Sequence, residues 1–229
     1  MYRISERMDK IIIIGASGHA KVIIESIEIG AEYQIYGLVD SFKPKGQKIL
    51  GYEILGTEDL IKDLVKKDVR KGVVAIGDNW TRCLMQAKIK EIAPDFEFIT
   101  VIHPSAIISP SAKIGKGTVV LASVKINTLA EIGEGCILNT NSSFGHDGTL
   151  SDFSSIAPGV TVGGNVKINF CSAISLGANI IQGITIGKHS IIGAGSLILN
   201  DVDDFKLVYG VPGKEIRTIK KGEKYISKS

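Results

Sequence analysis

The sequence predicts a chain of two builds in series, α/β and then all-β. A small parallel α/β domain occupies residues 1–102, a parallel β-helix 103–202, and a cap with a basic tail 203–229. Two observations carry this. Within 106–201 a bulky apolar residue recurs every six positions without a slip, from Ile108 to Ile198. Ahead of it, short apolar runs alternate with helix-like stretches separated by polar, glycine-rich turns.

The first element is the apolar run Ile11-Ile-Ile-Ile14, which reads as a buried strand. Gly15-Ala16-Ser17-Gly18-His19-Ala20 turns out of it, and 21–29 has helical character and stops at Gly30. A second strand, 34–39, ends at Asp40. A glycine-rich turn between strand and helix offers backbone N–H groups and a helix N-terminus to phosphate. An acidic residue after the second strand suits a ribose or base contact. The spacing is Gly-x-x-Gly, short of the full dinucleotide fingerprint. Residues 43–52 read as a loop with a short strand. Thr57 opens a helix reaching about Lys67, 72–76 is a third strand, and 80–92 a helix halted before Pro94. The alternation predicts a Rossmann-like parallel sheet. Ligands of such sheets sit beyond the carboxyl ends of the strands, where Gly15, Ser17, Gly18, His19, Asp40, Gly77 and Asn79 converge.

The second region repeats too tightly for ordinary helices or hairpins. Small or β-branched residues stand two positions before each bulky one, and a six-residue period of this kind marks a solenoid of parallel strands. Three hexads make a triangular coil, so the series Ile108 to Ile198 makes about five coils, and residues eighteen apart stack. Glycine often follows the bulky residue, as at Gly115, Gly133, Gly145, Gly163, Gly187 and Gly193, where positive φ is expected.

Bulk properties narrow the function. The 229 residues are 44% hydrophobic and 22% charged, a core-forming composition, and the net charge of +3 makes no case for nucleic acid. The positive excess is local: Lys214, Arg217, Lys220, Lys221, Lys224 and Lys228 crowd the end, chiefly as a solvated tail. Cys83, Cys136 and Cys171 form no CxxC or metal spacing, which favours a reducing cytoplasmic compartment. No run spans a bilayer, and no signal peptide is visible; Met8 opens the first strand as well as Met1 does.

On the coil, the departure from pattern is Asn139-Thr-Asn-Ser-Ser-Phe144-Gly-His146-Asp147. Stacking puts His146 between Thr128 and Gly164, and Asp147 against Asn165. Gly163 and Gly164 leave no side chain beside the imidazole, and a free N–H there could polarise a carbonyl. Histidine is the natural general base near neutral pH, and a neighbouring carboxylate fixes its tautomer. The other histidines fall at different phases of the repeat, against a three-histidine metal centre, so no metal is expected. Cys136, in an inward slot, and Cys171, in a turn, read as structural.

Gly15-Ala-Ser-Gly-His-Ala-Lys21, Val39-Asp40, Ala75-Ile-Gly-Asp-Asn79 with Arg82, His103-Pro104, Asn139-Thr140, His146-Asp147, Ala157-Pro-Gly159 and Gly210-Val-Pro-Gly-Lys214 together resemble the sialic acid O-acetyltransferase-like sugar acetyltransferases. Members include N-acetyltransferases of nucleotide-linked 4-amino-6-deoxy sugars, serving surface glycan synthesis. The resemblance implies a left-handed coil and a homotrimer with acetyl-CoA in the clefts between subunits. It makes His146 the general base, Asp147 its acidic partner, Asn139 a polar residue near the acceptor and Gly164 a donor to the thioester oxygen. Ser155, where some members carry a second histidine, Leu176, Ala194 and Lys214 fall to the cofactor, Lys214 with the basic tail toward its 3′-phosphate. Gly18, Asp40, Asn79 and Arg82 fall around the nucleotide. O-acetylation of a sialic acid or other glycan hydroxyl, and a non-catalytic trimeric scaffold, are the competing readings.

Overall fold

The computed structural model describes residues 8–224, so Met1–Arg7 and Lys228 lie outside the described residues. The front domain runs β1 (Asp9–Ile14), α1 (Gly18–Gly30), β2 (Tyr33–Val39), β3 (Lys48–Ile49), β4 (Tyr52–Gly56), α2 (Ile61–Lys66), β5 (Lys71–Val74), α3 (Asn79–Ile92) and β6 (Glu97–Phe98). Its sheet order is β3-β4-β2-β1-β5-β6, parallel except where β3 meets β4. The central strand β1 is apolar on both faces because both are covered: Ile11, Ile12, Ile13 and Ile14 are all 0% exposed. α1 lays Ile23, Ile24 and Ile27 on the Ile11–Ile13 face, while Ile61, Leu64, Ile89 and Phe96 close the Ile12–Ile14 face. The helix expected from Thr57 is shorter than the sequence suggests. A 3₁₀ turn, Glu58–Leu60, intervenes, and the Thr57 side chain makes no cap bond. Asp78 does cap α3, its Oδ1 accepting Thr81 N–H at 2.9 Å.

The coil is built of two-residue strands, each ending on its bulky residue, from Ile107–Ile108 to Leu197–Ile198. They lie on three faces, and partners such as Val119 and Ile137, or Lys125 and Ser143, are eighteen residues apart. The register starts ahead of the expected junction at His103, since Val101–Ile102 already pairs with Val119–Val120. At the far end Lys206–Tyr209 pairs parallel with Ile191–Ile192, then turns back antiparallel as Lys214–Thr218. The inward stack of Val120, Leu138, Ile156, Ile174 and Ile192 is at most 1% exposed, and each such side chain contributes about 1.5–3 kcal/mol.

Two corner rules follow from the stacking. Positive φ falls three residues after the bulky position, at Ser123, Leu129, Asn141, Asp147, Asn165 and His189 among others. It does not fall on the glycines directly after the bulky residue, contrary to the expectation from sequence. Those are glycine because the next coil is too close. A Cβ on Gly145 would stand 2.2 Å from Gly163 O, and one on Gly163 2.6 Å from Gln182 N. Inward small residues also complete the backbone bonding: Ser154 Oγ donates to Asn169 O and accepts from Ser172 N–H, and Ser172 Oγ repeats this to Gly187 O and Ser190 N–H.

One face of the coil receives the front domain. Its outward residues Val101, Val119 and Ile137 join the core formed by Ile11, Ile13 and α1. The equivalent residues elsewhere, such as Lys113, Lys125, Glu131 and Lys167, are exposed.

Candidate active site

The corner between strands Ser143–Phe144 and Thr149–Leu150 carries the histidine. Asp147 is in the left-handed region, φ 54, a conformation that acidic residues tolerate. Its N–H donates to Thr128 O, while Asn165 N–H donates to His146 O, the stacking anticipated from the eighteen-residue repeat. His146 Nδ1 lies 2.7 Å from Asp147 Oδ2. An ionised carboxylate only accepts, so Nδ1 carries the proton and Nε2 keeps its lone pair. Nε2 stands over Gly164, where a Cβ would be 2.5 Å away. The coil-to-coil ladder takes the N–H groups of Gly163 and Asn165 on either side, to Ile180 O and His146 O, and passes over that of Gly164. Both side chains of the pair are about half exposed, 56% and 46%, so the base is open to an acceptor.

A cleft of about 630 Å³ opens between the front domain and the coil. It is lined by His19 and Gly77 from the front domain, Asn139, Ser155, Leu176 and Ala194 from the coil, and Tyr209 beyond it. Its size and apolar walls suit a small organic ligand. Tyr209 was not anticipated from sequence; its ring lies where a Cβ on Gly193 would be, 1.8 Å away. Asn139 Oδ1 accepts Thr140 N–H, and Ser155 is buried at the cleft wall. His19 Nε2 is buried without a hydrogen-bond partner. Burial, and secondarily the Arg82 charge, lower its pKa to about 4, so it faces the cleft neutral.

The remaining expected residues scatter. Gly15, φ 101, makes the sharp turn out of β1, and Ser17 and Gly18 open α1, where Ser17 makes no side-chain cap bond. Asp40 accepts Ala16 N–H on one oxygen and Phe42 and Lys43 N–H on the other, so it ties two turns of the rim together. Asn79 and Arg82, expected around a nucleotide, are instead buried in the joint between the domains, 2% and 0% exposed. Arg82 donates to Gly135 O, Phe153 O, Ile76 O, Gly77 O and Asn79 Oδ1, which occupies its guanidinium, and Asn79 Nδ2 donates to Ser172 O. Their polarity is explained by the coil carbonyls they meet. Lys214 starts the last strand, paired with Tyr209, and is not part of the cleft wall. In the tail, Arg217 pairs with Glu223 and Lys221 sits over the Trp80 ring at 4.4 Å, so part of the basic run is engaged. Cys136 and Cys171 are pushed up to about 12 by burial, and neither supplies a thiolate. No helix among the described residues is long and apolar enough to cross a membrane.

A nucleotide-type α/β domain leaning on a hexapeptide coil, with a carboxylate-oriented histidine on a corner, is the build of a coenzyme A-dependent acyltransferase. Comparison with known proteins agrees. Residues 10–89 match the PglD N-terminal domain family. The chain is 31% identical over 168 residues to the GDP-perosamine N-acetyltransferase of Escherichia coli O157:H7, covering 73% of each. It is 34% identical over 121 residues, about half of each chain, to the UDP-N-acetylbacillosamine N-acetyltransferase of Bacillus subtilis. Among solved structures, PerB of Caulobacter crescentus in complex with CoA and GDP-perosamine matches with TM-score 0.86 and 34% identity, covering 92% of this chain and 99% of that one. The acetyltransferase domain of PglB from Neisseria gonorrhoeae, with acetyl coenzyme A, matches with TM-score 0.84 and 32% identity, covering 92% and 100%. The chain therefore belongs to the hexapeptide-repeat sugar acetyltransferases that carry a PglD-type N-terminal domain.

Proposed function

We propose that this protein transfers the acetyl group of acetyl-CoA to the amino group of a nucleotide-linked amino-deoxy sugar of the 4-amino-4,6-dideoxy hexose type. The observation that carries the reading is the His146–Asp147 pair with its free Nε2 over Gly164. The amine attacks the thioester carbonyl, its proton becoming more acidic as the C–N bond forms, and His146 Nε2 accepts that proton. Asp147 holds the ring and stabilises the imidazolium. The Gly164 N–H is the donor proposed for the developing oxyanion. The C–S bond then breaks, and the proton held by His146 passes to the departing sulfur, so coenzyme A leaves as its thiol and the imidazole is neutral again. Direct transfer fits this arrangement, since neither Cys136 nor Cys171 lines the cleft and burial disfavours their thiolates.

The site requires more than one copy of the chain. His146 is on one corner of the coil, while Asn139, Ser155, Leu176 and Ala194 line the cleft beside another. The His146 corner also exposes Leu129 (56%) and Leu199 (41%), and the cleft side exposes Leu176 (57%) and Tyr209 (45%), apolar surface that a neighbour would cover. A homotrimer in which one subunit's His146 faces its neighbour's cleft, where acetyl-CoA lies, accounts for both. Free Cys83, Cys136 and Cys171 suit a cytoplasmic location.

The test is a panel of nucleotide-linked 4-amino-4,6-dideoxy sugars, assayed for thiol release from acetyl-CoA and for acetamide formation. Release with at least one amine supports the reading. Release only with free sialic acids would favour O-acetylation, and silence across both panels would end the enzymatic proposal.

A further inference from the structure

Phe42 is 97% exposed, the most exposed large apolar side chain among the described residues, yet the segment that displays it is firmly held. Asp40 Oδ1 accepts the N–H groups of Phe42 at 2.8 Å and Lys43 at 3.0 Å. The Ser41 hydroxyl bonds the buried Glu58 carboxylate. Downstream, Gln47 N–H returns to Pro44 O and Gly46 N–H bonds Ile54 O, closing the loop onto β4. The ring is thus presented on a fixed backbone at the carboxyl edge of β2, the rim where open α/β sheets take ligands.

The second observation is the other oxygen of Asp40, which accepts Ala16 N–H at 2.7 Å. One carboxylate therefore ties the aromatic loop to the turn that feeds α1. That helix has no acidic residue in its first turn and no side-chain cap, so its amide end is suited to an anion. An aromatic face tied through Asp40 to the turn that opens a helix offers the two ends of a nucleoside diphosphate what they call for, a flat surface for the base and helix amides for the phosphates. Stacking on an aromatic face tolerates any base, because every base offers a π-surface.

We propose that Phe42 is the stacking platform for the base of the nucleotide-linked substrate, with affinity depending on the base's area rather than on its hydrogen-bonding edge. This rests on the nucleotide-sugar reading above. The test is calorimetry of GDP, UDP and inorganic pyrophosphate on the full-length wild type, Phe42→Ala and Phe42→Trp, all of which should fold because the side chain touches solvent. The expected result is that Phe42→Ala weakens both nucleoside diphosphates about 5- to 150-fold, more for GDP, while Phe42→Trp holds or tightens them. Pyrophosphate affinity and the KM for acetyl-CoA should stay at wild-type values. Equal nucleotide affinity in Phe42→Ala and wild type would overturn the platform while leaving the nucleotide-sugar reading intact. A wild type that binds neither nucleotide would overturn both.

Discussion

The imidazole of His146 lies so close over Gly164 that a single added methyl group would stand 2.5 Å from Nε2. Gly164 is not in the left-handed region, and the three atoms nearest an added Cβ all belong to the His146 ring. Gly164→Ala should therefore push the ring off Asp147 and lower turnover about tenfold or more, with the melting temperature moved by no more than about 2 °C. Gly163→Ala has the opposite profile. Its Cβ would press on the Gln182 backbone at 2.6 Å, and the thermal midpoint should fall by several degrees. Kinetics and melting curves on the pair separate the two.

His146→Ala should reduce kcat by about two to four orders of magnitude while acetyl-CoA binding changes little. Asp147→Asn replaces an acceptor-only carboxylate by an amide that can also donate, so the tautomer is no longer dictated, and should give a smaller loss, about ten- to a hundredfold. Near wild-type turnover in His146→Ala would remove the general-base role.

Arg82 joins the two domains with a guanidinium that has no solvent exposure, donating to Gly135 O and Phe153 O of the coil and to Ile76 O, Gly77 O and Asn79 Oδ1 of its own domain. Arg82→Leu strands these carbonyls and should cost about 3–5 kcal/mol in chemical denaturation. Arg82→Lys should not restore it, since one ammonium cannot span the same acceptors. A lysine variant as stable as wild type would contradict this account of the joint.

His19 makes stability depend on pH in a stated direction. Its folded pKa, about 4, lies below the unfolded value of 6.5, so the unfolded chain binds the proton first. The contribution is fully present above pH 6.5 and is lost as pH falls toward 4, by about 3 kcal/mol at most. Urea titrations at pH 7 and pH 4.5 should show a larger drop for wild type than for His19→Asn. Equal drops would place the acid sensitivity elsewhere, His189 being the next candidate because burial lowers its pKa too.

Much of this molecule is legible from spacing. The six-residue period predicts the coil, the eighteen-residue offset predicts that His146 meets Gly164, and the apolar run at Ile11 marks the central strand. The docking face also has a signature in the sequence. The outward slot ahead of each bulky residue reads Val119, Ile137, Ser155, Ala173 and Ile191 on every third turn, buried where lysine or glutamate stands on other faces. That eighteen-residue apolar stripe is the footprint of the front domain and tail. The misplacements have local causes. Glycine after a bulky residue suggests a turn former, whereas the close approach of stacked coils is what requires it. Asn79, by its place at a strand's end, and Arg82, by the family resemblance, point to a nucleotide, but a polar side chain reads the same in sequence whether it meets a nucleotide or a carbonyl of the same chain.

By itself the sequence determined the periodic elements, since burial pattern and chain stiffness act over a few residues and repeat faithfully. It also determined the neighbours that periodicity stacks, including the catalytic candidate and its glycine. Only the tertiary structure decided which polar groups face outward, that Asp40 binds two turns at once, and that His146 and the cleft occupy different corners of one coil. Those facts depend on how the front domain docks, and docking is settled by contacts between residues far apart in the sequence, such as Asn79 with Ser172, 93 positions on, which no local pattern encodes.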